Sequence, residues 1–70
     1  MTDFLAQFVG DPARAKVLRA FIFSESRALS LGDAGKRTGL SARAAEKEIA
    51  ALEKMGILKR DALTIMMKNN

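Results

Sequence analysis

Arg43, Lys47 and Lys54 recur at intervals of four and seven residues in a stretch rich in alanine, glutamate and lysine. At about 100° per residue these intervals bring all three cations into one narrow sector of a helix, with Ala50 between them. A row of cations along one face is chemistry for a polyanion, because each side chain can donate to phosphate and arginine can fork onto paired acceptors. The charge balance is local in the same way. Residues 36–60 hold seven basic side chains (Lys36, Arg37, Arg43, Lys47, Lys54, Lys59 and Arg60) against three acidic ones (Glu46, Glu48 and Glu53), which accounts for the whole net charge of +4. The plainer reading of such lysines is a solvated helix surface, so charge alone does not decide.

The missing residue types narrow the chemistry further. Zero His and zero Cys exclude imidazole acid/base work, thiol catalysis, disulfides and the usual zinc ligands. The carboxylates are scattered singly, and Gly32-x-x-Gly35 lacks the Gly-Lys-Ser/Thr ending of a phosphate loop. In 70 residues there is little room for a buried pocket, so neither an enzyme nor a cofactor, metal or small-molecule substrate is expected. A 49% hydrophobic and 29% charged composition is that of one globular domain. No apolar stretch approaches the roughly 20 residues that cross a bilayer, and Met1-Thr2-Asp3 does not read as a secretory signal. The expected setting is cytoplasmic, with no membrane partner.

Capping chemistry divides the chain. Thr2 to Gly10 reads as a short amphipathic helix with Phe4, Leu5, Phe8 and Val9 on its apolar side. Asp11-Pro12 starts a second helix, to about Phe23, because aspartate caps free N–H groups and proline at the first helical position has none to lose. Ala28-Leu29-Ser30 makes a very short strand, and Ser30 with Asp33 caps a helix to about Thr38 that buries mainly Leu31 and Ala34. Gly39 takes the left-handed cap and Leu40 closes over the turn. Ser41 caps the longest helix, Ala42 to about Met55, whose Ala45, Ile49 and Leu52 face the core. After Gly56, Ile57 to Arg60 is a strand. Only Asp61-Ala62 separates it from the apolar run Leu63 to Met67, in which Leu63, Ile65 and Met67 would share a side.

Two helices joined by Thr38-Gly39-Leu40-Ser41, the second longer and basic outside, follow the plan of a helix-turn-helix. Asp11 to Leu18, Leu29 to Ala34, Lys36 to Ser41 and Leu52-x-x-x-Gly56-Ile57-Leu58-Lys59-Arg60 together resemble the bacterial and archaeal winged helix-turn-helix transcription regulators over residues 11–60. The resemblance implies a mostly α, winged helix-turn-helix fold: a three-helix core over residues 11–56, with the short helix of residues 1–10 added before it and a small β-hairpin wing over 57–67. It implies double-stranded DNA as partner, a recognition helix over 41–55, and reading positions at Ser41, Ala42, Arg43, Ala44, Glu46 and Lys47.

Lys36, Arg37, Lys54, Lys59 and Arg60 would add contacts to phosphate. Arg43 and Lys47 suit that role, and Ala42 and Ala44 could meet a thymine methyl. Glu46 suits it only by accepting from cytosine or by pairing with a cation such as Arg43 or Lys47. Lys59 and Arg60 serve equally well as edge-strand charges that discourage aggregation. A homodimer is expected, since one recognition helix reads a half-site. The alternative is a winged-helix module for protein–protein contact or dimerisation, to which Glu46, Glu48 and the apolar ends would contribute.

Overall fold

The computed structural model describes residues 11–68 of the chain; the helix expected over residues 1–10 lies outside them. Asp11 opens the first element. Its carboxylate accepts from the backbone N–H of Ala13 at 2.8 Å, and Pro12 sets the first helical dihedral of α1, Pro12–Ile22. A turn leads to β1, Ala28–Ser30. Ser30 then caps α2, Leu31–Thr38, by accepting from the Asp33 N–H at 3.2 Å. Gly39 ends α2 in the left-handed region at φ 74°, and Ser41 caps α3, Ala42–Lys54, through the Ala44 N–H at 3.1 Å.

The end of α3 is closed by paired backbone bonds about a left-handed Gly56 at φ 79°. Ile57 N–H reaches the Leu52 carbonyl and Gly56 N–H reaches that of Glu53, both at 3.0 Å, which satisfies two of the helix's orphan acceptors. The chain turns back at once into β2, Leu58–Asp61, and β3, Thr64–Met67.

β3 is the central strand of an antiparallel sheet ordered β1-β3-β2, with Leu29 and Arg60 both opposite Ile65. Among the described residues the fold is therefore α+β, three helices on a three-stranded antiparallel sheet. The hairpin does not stand alone. β1 finds its partner in β3 and ties residues 28–30 to the end of the chain.

Every element contributes to one core. Phe21 and Val17 from α1, Ile49 and Leu52 from α3 and Ile65 from β3 are its largest fully enclosed side chains, each contributing about 1.5–3 kcal/mol by leaving water. Ala34 of α2, Leu29 of β1 and Leu58 of β2 complete it.

Two expectations need correction. α2 buries Ala34, Gly35 and Thr38, while Leu31 is only half-buried. The reason is a close backbone approach, since a Cβ on Gly35 would stand 3.1 Å from the Leu40 carbonyl oxygen. Thr38 fits there because its hydroxyl donates to the Ala34 carbonyl at 2.7 Å and accepts from the Leu40 N–H. Leu63 does not share a side with Ile65. The hairpin turns at Ala62-Leu63 instead of Asp61-Ala62, which leaves Leu63 87% exposed at the tip.

Candidate nucleic-acid interface

α3 meets the rest of the domain through Ala45, Ile49 and Leu52, all fully enclosed. Helical geometry then sends Arg43, Lys47 and Lys54 to the opposite side, and all three are exposed. Between the buried and the cationic faces lie two flanks, and the helix's three glutamates occupy them.

On one flank Glu48 is buried, its side chain 8% exposed, and it accepts from Arg14 Nε of α1 at 3.0 Å. On the other flank Arg60 of β2 forks onto Glu46. Its two terminal nitrogens donate one bond each to Oε1 and Oε2, both at 2.9 Å. One of them also donates to Glu53 Oε1, one face-repeat further along the helix. The Arg60 hydrogen bonds hold the Glu46 carboxyl below its usual value of 4.5, against a smaller opposing effect of burial and with help from the arginine's charge. The same bonds to Glu46 and Glu53 raise Arg60 further above its already high value.

All three acidic side chains of α3 are thus bound by arginines from other elements. The consequence is electrostatic: the acidic side chains of α3 are all paired, and its exposed charges, Arg43, Lys47 and Lys54, are cationic. Glu48 offers no acidic surface to a partner, contrary to expectation. Glu46 pairs across to the sheet instead of with Arg43 or Lys47. Arg60 is occupied by two carboxylates and is not a free phosphate contact.

The remaining expected positions divide cleanly. Lys36 and Arg37 are exposed on the last turns of α2, where their charge also favours the helix's carbonyl end. Ser41 and Ala42 are exposed and Ala44 half-buried at the start of α3, although the Ser41 hydroxyl is used as the cap. Lys59 lies exposed on β2, an edge strand, facing away from the Leu58 and Arg60 side.

A shallow groove of about 330 Å³ runs between α2 and the turn, bordered by Leu31, Gly35, Lys36, Leu40 and Ala42. A second of about 490 Å³ lies between α1 and Arg37 and includes Lys16, Ala20 and Phe23, the last 78% exposed. Among the described residues no acidic cluster could hold a metal ion and no helix is long and apolar enough to cross a membrane.

Sequence reasoning missed both arginine anchors. For Arg14 and Glu48, 34 positions apart, no local signal exists. For Arg60 one did: Glu46 and Glu53 are seven residues apart on one flank, the spacing that a single neighbouring cation can bridge. No family model, curated protein or solved structure matches this chain.

Proposed function

We propose that this chain is a winged helix-turn-helix DNA-binding domain of the transcription-regulator kind, acting in the cytoplasm as a homodimer. In this reading α3 is the recognition helix and the β2–β3 hairpin is a short wing. The major groove of B-DNA admits a helix, and α3 offers it small residues at Ala42 and Ala44 with Arg43 and Lys47 alongside. Lys36, Arg37, Lys54 and Lys59 are placed to meet phosphates.

The observation that carries the reading is the capture of all three α3 glutamates by Arg14 and Arg60, which leaves a cationic outer face. Repulsion from phosphate is thereby reduced, with Arg60 offsetting one of the two carboxylate charges it joins.

Fluorescence anisotropy with mixed-sequence duplexes tests it. Binding tighter than about 100 µM at low salt, weakening as salt rises, is the expected result. Arg43→Glu with Lys47→Glu should lower affinity more than tenfold and flatten the salt slope by about two. No binding at low salt, or a zero slope, overturns the proposal.

A second reading, a protein-docking module, is favoured by the exposed Phe23 and Leu63. It predicts a partner whose binding survives the charge reversals at Arg43 and Lys47.

A further inference from the structure

Within the DNA-binding reading, on which this step rests, we infer that Glu46 is the residue of α3 that sets base preference, by accepting from the exocyclic amino group of a cytosine, and that Arg60 is the residue that positions it.

A carboxylate on a helix that approaches DNA has to be explained, because unpaired it repels every phosphate it passes. Glu46 is not unpaired. Each of its oxygens takes one N–H of the Arg60 fork at 2.9 Å, so its charge is partly offset by an arginine it shares with Glu53, and its geometry is held. The fork uses one acceptor site on each oxygen, and a carboxylate has about four in all. The others are accessible, since the side chain keeps 40% of its surface in solvent.

Glu46 stands in the second turn of α3, about 60° round from Arg43 on the side of the sheet. It therefore borders the cationic row instead of interrupting it. Glu53 holds the same guanidinium from the far side, so Arg60 is itself braced.

What such a group can read follows from the groove edges. Guanine presents N7 and O6, both acceptors, and thymine presents O4; each opposes a carboxylate. Adenine has an amino group, but its N7 acceptor lies beside it. Cytosine alone presents an amino donor and no acceptor on its own major-groove edge, so a carboxylate can approach it from the C5 side, away from guanine O6. A fixed, ionised acceptor at Glu46 selects cytosine and rejects the other bases.

The test is selection from a randomised duplex pool by the full chain, followed by sequencing, with circular dichroism and melting curves to verify the fold of each variant. The expected wild-type result is a C·G preference at one position. Glu46→Ala should erase it, lowering the ratio of C·G to other duplexes at that position about tenfold. Glu46→Gln should move the same position toward A·T, since an amide can both donate to and accept from adenine. Arg60→Lys keeps the charge but not the fork, and should weaken the preference while leaving the salt slope unchanged. Duplex retained with the same preference in Glu46→Ala and Glu46→Gln overturns this inference alone. Retention of no duplex by any form, wild type included, overturns the DNA-binding reading and this inference with it.

Discussion

The two flanks of α3 use the same chemistry under different conditions. Toward α1, Glu48 is enclosed and meets an arginine that is itself 25% exposed; toward the sheet, Glu46, Glu53 and Arg60 remain substantially in water. An ion pair out of water fixes structure, because neither partner tolerates loss of the other. An exposed one contributes little to stability, yet it can hold a side chain in one geometry. The α1 flank therefore seats the helix, and the sheet flank arranges what the helix presents.

Breaking the α1 flank should have the largest effect. Arg14→Ala leaves the Glu48 carboxylate buried without its cation and is expected to cost about 3 kcal/mol. A urea titration should show the midpoint falling with the m-value unchanged. Arg14→Met combined with Glu48→Met should recover most of that loss, since what destabilises is the orphaned charge and not the absence of a salt bridge. A double variant as unstable as Arg14→Ala would show that the flank depends on the pair itself.

The sheet flank should yield less. Arg60→Ala is expected to cost about 0.5–1 kcal/mol, the ordinary value of solvent-exposed pairs. Its signature is in the pH dependence. The Glu46 carboxyl is depressed in the folded state, so its contribution is complete above 4.5 and disappears as pH falls through the lowered value. Melting temperatures of wild type and Arg60→Ala should differ by a constant amount above about pH 5 and converge in more acidic buffer. A difference that persisted into strong acid would mean that Arg60 acts through packing of its stem instead of through the carboxylate.

What was legible in the sequence follows the same division between local and distant causes. The caps at Asp11, Ser30 and Ser41 and the left-handed glycines at 39 and 56 act within one turn of chain, and each stands where the residue types place it. The cationic row is legible because helical periodicity alone fixes it. Glu48 and Arg14 meet only because α1 and α3 pack together, and no spacing announces that. Gly35 is buried because the backbone at Leu40 returns against it, which depends on the shape of the turn and not on hydrophobicity. The position of the hairpin turn was set by register. Pairing Ile65 with both Leu29 and Arg60 fixes Asp61 opposite Thr64, and Ala62-Leu63 become the loop whatever their polarity.

That loop supplies the smallest and most direct test of the sheet flank. Ala62 has φ 55°, in the left-handed region where a Cβ crowds the backbone, and Leu63 does not share it; two-residue hairpins with positive φ at the first position alone favour glycine there. Ala62→Gly removes the crowding but also gives the unfolded chain more freedom, so the two effects partly cancel. The expected net gain is about 0.5 kcal/mol, read as a rise of a few degrees in melting temperature. Because the Arg60 fork depends on the register of β2 against β3, the same substitution should leave the acid convergence between wild type and Arg60→Ala in place when introduced into both. If Ala62→Gly abolished that pH signature while raising stability, the hairpin would have settled into another register, and the fork would depend on the strain at residue 62.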